Sequence, residues 1–248
     1  MTAPRRFTDR DFDEAYQRVI LGNNFFEEPE YYLRDKPRYR RTLDYIARID
    51  LPRPSKILEI GGGQIALLSH ELFGDQCTLA DVGEGYADAA TRFGLGFVVC
   101  DLAHDDLEFQ EELDMVVLLE VIEHMAIPPH LVLEKIARWI KPGGYIFLTT
   151  PNLYRLRNSI RLFLGMPVFH NFFYPERGES LGHPIEYSAE HLRFQMERAG
   201  LEVQYVELAQ LQNSGATPLT KIGRKVLAPL QKRPLWRDSL VALARKPR

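Results

Sequence analysis

Short apolar runs alternate with amphipathic stretches from Lys56 onward. The runs lie at 56–60, 77–81, 97–101, 115–119 and 145–150, without a strict alternation of polar and apolar residues. Strands covered by helices on both faces have this composition. The alternation of strands and helices is typical of βαβ units. We therefore predict an α/β fold with a mostly parallel sheet and helices on both faces.

The remaining pattern divides the chain into further elements. Apolar spacing predicts helices at about 65–72, at 126–140 with a following turn at 141–144, and at 188–200 between a serine cap and a glycine. Two more strands are predicted at 202–208 and 239–244. Residues 1–50 are predicted to form an N-terminal helical extension to a domain over 51–248. That domain has a lid at about 151–187 and an insertion at about 209–237.

Composition and charge narrow the class of protein. The 248 residues are 45% hydrophobic and 26% charged, as in soluble globular proteins. A net charge of −3 argues against a global electrostatic grip on nucleic acid. Two cysteines are too few for a disulfide framework, and we find neither a signal-peptide pattern nor an apolar run long enough for a membrane span. We expect a cytoplasmic protein.

Glycines and acids mark the predicted strand ends. The first strand runs into Glu59-Ile60-Gly61-Gly62-Gly63-Gln64, where glycines let the backbone pass close to a ligand. The next three strands end at Asp81, Asp101 and Glu120. Open α/β sheets bind ligands at this edge. A tight structural turn and a phosphate cradle of a dinucleotide enzyme are the alternatives. The second lacks both the GxGxxG spacing and a basic residue in the loop.

These residues carry a family resemblance. The strings LEIGGGQ, LADVG, CDL, LLEVIEHM, WIKPGGYIFLTTPN and HLRFQMERAGLEV, in this order between about Lys56 and Val203, resemble those of class I S-adenosylmethionine-dependent methyltransferases. Within that family the chain resembles bacterial enzymes that methylate quinones, sugars and polysaccharides. The resemblance implies a Rossmann-like, doubly wound, seven-stranded sheet and S-adenosylmethionine as cofactor.

Carried over residue by residue, the resemblance implies a cofactor site. Glu59 and the glycine turn would organise the methionine end, Asp81 would accept from both ribose hydroxyls, and Asp101 and the Leu102 amide would face the adenine. The full predicted set is Glu59, Gly61, Gly62, Gly63, Gln64, Asp81, Val82, Asp101, Leu102 and Glu120. As alternatives, Asp101 caps a turn and Glu59 is a structural acid bonded to backbone amides.

A polar cluster after the fourth strand supplies the predicted catalytic residues. Glu123, His124 and the later His183 are candidates, with a histidine as general base. If the segment from Glu120 is helical, Glu120, Glu123 and His124 share one face. The same four residues resemble the metal-binding motif of small-RNA 3′-end 2′-O-methyltransferases. Such ligands suit Mg or Mn rather than zinc. The alternative is that Glu123 and His124 only terminate the strand and cap a helix.

The acceptor is the least determined part of the prediction. Arginines and aromatic residues interleave between 151 and 183, and the basic segment 221–237 offers a peripheral membrane contact. Packing of the aromatics and solvation of the basic face are the plainer explanations. We predict O-methylation of a small molecule or a saccharide, including a lipid-linked one. The alternatives are a metal-dependent RNA methyltransferase and a non-catalytic cofactor-binding subunit, the latter suggested by Ile65 in place of a family glycine.

Overall fold

A seven-stranded sheet forms the centre of the computed structural model, which describes residues 5–23, 29–169, 183–211 and 233–248. The strand order is β3-β2-β1-β4-β5-β7-β6, and β7 runs antiparallel to both of its neighbours. The strands are β1 Lys56–Ile60, β2 Gln76–Asp81, β3 Gly96–Val99, β4 Leu113–Leu119, β5 Ile140–Pro151, β6 Glu202–Ala209 and β7 Ser239–Arg245. This confirms the predicted seven-stranded, mostly parallel sheet.

Helices pack on both sides of the sheet. In the described residues they are α1 Asp9–Tyr16, α2 Pro29–Ile46, α3 Gln64–Phe73, α4 Ala87–Phe93, α5 Pro129–Trp139, α6 Leu156–Phe163 and α7 Ala189–Arg198. A wider π turn, Gln17–Leu21, continues α1. Caps explain where helices begin: Thr8 and Asp11 form a reciprocal capping box on α1, and Ser188 accepts from the His191 amide as predicted for α7.

The two sheet faces bury separate apolar clusters. The first cluster joins α1, α2 and α3 to the sheet, and Phe12, Tyr16 and Leu43 belong to it. The second lies under α5 and α7, with Trp139 and Leu192 among its members. The predicted N-terminal extension therefore shares the core of the sheet rather than lying beside it. The central strand β4 is buried along its whole length, as expected when helices cover both faces.

The N-terminal segment is also tied down by a buried polar network. Arg5 pairs with Asp75, which additionally accepts from the Ser69 hydroxyl (2.6 Å) and the Ser55 amide (2.9 Å). The Arg5 guanidinium also donates to Asp75 Oδ1 at 2.9 Å and to Ser55 Oγ. Burial of this pair makes it costly to break, because the surviving charge would lie unpaired in the interior.

Three local predictions are wrong in detail. Residues 141–144 are not a turn but an irregular part of β5: Ile140 pairs with Leu113 and Tyr145 with Met115, so extra residues bulge from the strand. Gly143, at φ +84°, provides the backbone conformation that this bulge needs. The third strand stops at Val99, before Asp101. The segment after Glu120 forms one 3₁₀ turn, Ile122–His124, rather than a helix.

The predicted lid and insertion are described only in part. The lid contributes α6 and an isolated bridge between Asn152 and Tyr187. The insertion contributes the end of β6 and a 3₁₀ turn at Pro234–Trp236. Residues 170–182 and 212–232, which include most of the basic segment 221–237, lie outside the described residues. None of the described helices has the length and apolar character needed to cross a bilayer.

Candidate active site

A cavity of about 350 Å³ opens at the carboxyl ends of β1, β2 and β4. Strand order reverses between β1 and β4, and open α/β sheets bind ligands at such a switch point. The volume of the cavity lies within the range of small-molecule sites. Seven of the predicted site residues line it: Gly61, Gln64, Asp81, Val82, Leu102, Glu120 and His124.

The glycine turn below the cavity has no room for side chains. A Cβ on Gly61, which has a φ of +79°, would stand 2.4 Å from Val121 Cγ2, and one on Gly63 would stand 2.1 Å from Leu79 Cδ2. Gly62 also has a positive φ, +158°. Of the three glycines, Gly61 lines the cavity with its backbone, the close approach that a cofactor needs, whereas Gly62 and Gly63 are buried and do not line it.

Glu59 lies underneath the turn rather than in the cavity wall. Its carboxylate accepts from the Ala66 amide at 2.6 Å and so fixes the first turn of α3. Burial raises the pKa of Glu59 to about 7, even though the hydrogen bonds from the Ala66 and Ile65 amides act in the opposite direction. This placement matches the structural alternative considered from the sequence, and a direct contact of Glu59 with a cofactor stays a prediction.

The two acids predicted to hold the nucleoside are placed differently. Asp81 ends β2 on the cavity wall, and partial burial raises its pKa. Asp101 lies beyond the end of β3 and accepts from the Ala103 amide (3.0 Å) while lying 3.0 Å from His104 Nδ1. Those contacts are the turn-capping arrangement considered as its alternative. Cys100 and Leu102, on either side, line the cavity instead.

Glu120 joins the sheet edge to the N-terminal helices. It adopts a left-handed backbone conformation (φ +58°), uncommon for a residue other than glycine and frequent at functional sites. Its carboxylate accepts from the Thr149 hydroxyl at 2.8 Å and lies 4.0 Å from the Arg38 guanidinium. Burial works to lower the pKa of Arg38, but the opposing charges of Glu120, Tyr39, Tyr31 and Asp35 together exceed it and raise that pKa above its usual range.

Glu123, His124 and His183 converge next to the cavity. Their ligand atoms lie within 4.8 Å of one another, and the two imidazole rings meet edge to face at 4.6 Å. Glu123 is fully buried: one carboxylate oxygen accepts from the Thr150 hydroxyl at 2.9 Å, and the other has no hydrogen-bond partner among the described residues. Burial and the nearby Glu120 raise the pKa of Glu123 well above its ordinary value.

Sequence reasoning missed the contribution of α2. Tyr31, Tyr32, Arg38 and Tyr39 all line the cavity. Tyr86 also lines the cavity, and its hydroxyl oxygen accepts a hydrogen bond from Gln64 Nε2 at 2.9 Å. The density of tyrosine and arginine in the string EYYLRDKPRYR was the available signal. By contrast, Ile65 is fully buried in the apolar cluster beneath α3, so it leaves the cavity unobstructed.

Comparisons with known proteins agree with this geometry. The methyltransferase domain family matches residues 31–206. A ubiquinone biosynthesis O-methyltransferase of Proteus mirabilis is 29% identical over 128 residues, 47% of this chain and 52% of the relative. The chain thus matches about half the length of that relative.

Solved structures share the fold at low sequence identity. One is the chain from a Haloferax volcanii complex of the Trm112 methyltransferase activator with a methyltransferase (TM-score 0.63, 19% identity, 98% of this chain and 100% of that one). Another is a geranyl diphosphate methyltransferase in complex with SAM. Its TM-score is 0.59 at 14% identity, and the match covers 92% of this chain and 94% of that one. With the family match, the glycine turn and the cavity at the switch point, this chain belongs to the class I S-adenosylmethionine-dependent methyltransferases.

Proposed function

We propose that the protein transfers the methyl group of S-adenosylmethionine to a hydroxyl of a small or saccharide-type acceptor, including a lipid-linked one. The observation that carries the proposal is the shared cavity. Gly61 and Asp81 line the same cavity as His124 and Glu120. Cofactor binding and proton removal are thereby brought within one small volume. The O-methyltransferase relatives support a hydroxyl as the acceptor group.

The residues divide into binding and reaction groups. Asp81, at the end of β2, would accept from the ribose hydroxyls, and the turn at Gly61–Gly63 would receive the methionine end. The cofactor supplies an activated methyl group on a sulfonium. His124 would take the proton as the acceptor oxygen forms its bond to carbon and the carbon–sulfur bond breaks. His183, whose ring meets that of His124 edge to face at 4.6 Å, would hold the His124 ring in place.

Binding and transfer are tested separately. In calorimetric titration, S-adenosylhomocysteine should bind the wild type, and Asp81→Ala should weaken binding by about a hundredfold, since two charge-assisted hydrogen bonds are lost. Asp88→Ala removes an exposed acid in α4 and is the matched control. Absence of binding in every variant would contradict the proposal at its first step.

Transfer is measured with labelled cofactor against panels of phenolic, saccharide and lipid-linked acceptors. His124→Gln should lower kcat by about a hundredfold or more while leaving S-adenosylhomocysteine affinity within a few fold, because a general base acts in the chemical step. Wild-type affinity for the cofactor combined with His124→Gln activity equal to that of the wild type would remove His124 from the proposed role.

A metal-assisted reaction is the second candidate, and one observation favours it. The unpartnered Glu123 oxygen lies with His124 and His183 in a cluster whose ligand atoms are within 4.8 Å. A carboxylate and two imidazoles fit a divalent ion such as Mn²⁺ or Mg²⁺, although Glu120, the fourth predicted ligand, is outside the cluster. The RNA acceptor of the resembling enzymes finds no support in the net charge of −3.

Calorimetric titration with Mn²⁺ alone distinguishes the two mechanisms. The metal-assisted mechanism requires binding that Glu123→Gln abolishes, together with loss of transfer activity after dialysis against a chelator. Undiminished activity in the presence of chelator favours the histidine base. The non-catalytic alternative was suggested by Ile65. The structure removes that reason, because the Ile65 side chain is buried in the core and does not line the cavity.

A further inference from the structure

Helix α6 begins beside the candidate active site and ends on the surface. Near its start, Arg155 pairs with Glu186 and Asn158 donates to the same carboxylate at 2.6 Å. Glu186 in turn lies 3.6 Å from His183 Nδ1. The first turn of α6 is thus fixed to the edge of the site, so that whatever its far end contacts is held close to the reacting groups.

The far end of α6 presents large apolar side chains to solvent. The exposed fractions are 59% for Leu162, 89% for Phe163, 61% for Leu164 and 44% for Met166. Isolated surface leucines are ordinary, but four large exposed apolar side chains within five consecutive residues are typical of an interaction surface. Their burial in a partner would be favourable, because each removes substantial apolar area from water.

The backbone holds this apolar end in one conformation. Gly165 is left-handed at φ +67°, its amide donates to the Leu162 carbonyl at 3.0 Å, and the Met166 amide donates to the Arg161 carbonyl at 2.8 Å. This pair of bonds is a Schellman motif, the common terminator of a helix. The exposed side chains therefore project from a capped, ordered helix end.

Positive charge flanks the apolar end. Residues 153–169 contain Arg155, Arg157 and Arg161 and no acidic residue. Partial burial together with the neighbouring Arg155 and Arg161 lowers the pKa of Arg157, whereas Glu186, which faces it from the segment before α7, acts in the opposite direction. Because Glu186 is already engaged by Arg155 and Asn158, the outward side of the segment keeps a cationic character.

We propose that residues 156–166, the α6 docking segment, seat on an anionic lipid bilayer surface. An apolar helix end inserted at the acyl boundary with arginines at the level of the headgroups is the arrangement of interfacial helices. A second copy of this chain fits less well, since a two-fold interface places the same arginine-flanked patch on both sides. Like charges would then meet across the contact.

One consequence rests on the proposed function. A segment that is anchored in lipid and joined to His183 through Glu186 would hold the cavity mouth near the membrane. An amphiphilic, lipid-linked acceptor would then reach the site without leaving the bilayer. The docking itself requires no methyl transfer, so it can fail or succeed independently of the proposed chemistry.

Vesicle co-sedimentation of the full chain tests the proposal. We expect binding to phosphatidylcholine vesicles that contain phosphatidylglycerol, weaker binding to phosphatidylcholine alone, and release by added salt. The double variant Leu162→Ser with Phe163→Ser should lower the partition coefficient by about tenfold or more. Phe194→Ser, at a 56% exposed phenylalanine on α7, should bind as the wild type does.

Any of three results would overturn the proposal that the α6 docking segment seats on a bilayer. Absence of vesicle binding by the wild type does so directly, and so does equal binding of the double variant, which would assign membrane contact to another part of the chain. A dimer in sedimentation velocity that the double variant converts to monomer would assign the patch to self-association. Thermal melting of both variants verifies folding, and S-adenosylhomocysteine titration without vesicles reports the cofactor site separately.

Discussion

Replacing Glu59 by glutamine measures the electrostatic cost of the buried acid beneath the glycine turn. Burial raises the pKa of Glu59 to about 7 from an ordinary value of 4.5. Linkage converts this difference to about 3 kcal/mol of folding free energy. Glutamine keeps a side-chain oxygen for the Ala66 amide, which Glu59 now holds at 2.6 Å, so the substitution removes the ionisable group and preserves the main contact.

The sign follows from which state holds the proton. Below pH 4.5 the carboxyl is protonated in both states, and the wild type keeps its full stability from this group. Between pH 4.5 and about 7 the unfolded chain releases the proton while the folded chain retains it, so stability falls as pH rises. Above that window the loss is complete. Glu59→Gln, which cannot ionise, escapes this loss.

Urea unfolding of the wild type and Glu59→Gln across this pH range provides the assay. We expect the variant to gain about 3 kcal/mol relative to the wild type between the acidic and the alkaline end of the series. Titrating groups that do not interact with Glu59 cancel in this difference, and Arg38 and Asp81, which do interact with it, act on its pKa less than burial does. Glu108→Gln, at an exposed position, is the matched control substitution. A difference between wild type and Glu59→Gln that stays constant with pH would refute the buried, proton-retaining carboxyl.

Three further substitutions test the supporting structure. Gly61→Ala forces a methyl group to within 2.4 Å of a valine side chain at a left-handed position. It should lower the free energy of unfolding in urea by about 2–4 kcal/mol and weaken S-adenosylhomocysteine binding. Gly85→Ala, whose added methyl would have no atom within 4 Å, should be nearly neutral. Ser188→Ala removes the α7 cap and should cost about 1 kcal/mol by the same assay. Asp75→Ala leaves the buried Arg5 charge unpaired and should lower the free energy of unfolding by about 3–5 kcal/mol.

Local pattern was sufficient for the strands that carry the site. The first strand was predicted at its observed bounds, Lys56–Ile60, because an apolar run that meets three glycines has few other structures open to it. Asp81 was placed for a similar reason: an acid at the end of a parallel strand lies at the binding edge. Asp101 shows the limit of that reasoning. β3 ends two residues earlier, and the carboxylate accepts from the Ala103 amide of the following turn.

Which residues of α2 line the cavity could be seen only in the tertiary structure. Nothing in the helical spacing of α2 shows that Arg38 faces Glu120, because the two residues are brought together only when the helix packs across the edge of the sheet. The left-handed backbone of Glu120 and the meeting of His124 with His183 are likewise products of chain segments that are distant in sequence. Periodicity predicts which residues are buried, but not which distant segment they meet.

If the cofactor binds in this cavity as proposed, the charges on the cavity wall would give the site a preference between its two forms. Among the described residues that line it, Asp81 and Glu120 carry formal negative charge and Arg38 carries positive charge, so the wall has a formal charge of −1 with His124 counted as neutral. The sulfonium of S-adenosylmethionine adds a positive charge that the thioether product lacks. In a partly enclosed cavity such a difference is weakly screened. With the cofactor bound here as proposed, the wall would attract the methyl donor more strongly than its product, which would favour exchange of spent cofactor for fresh cofactor after each transfer.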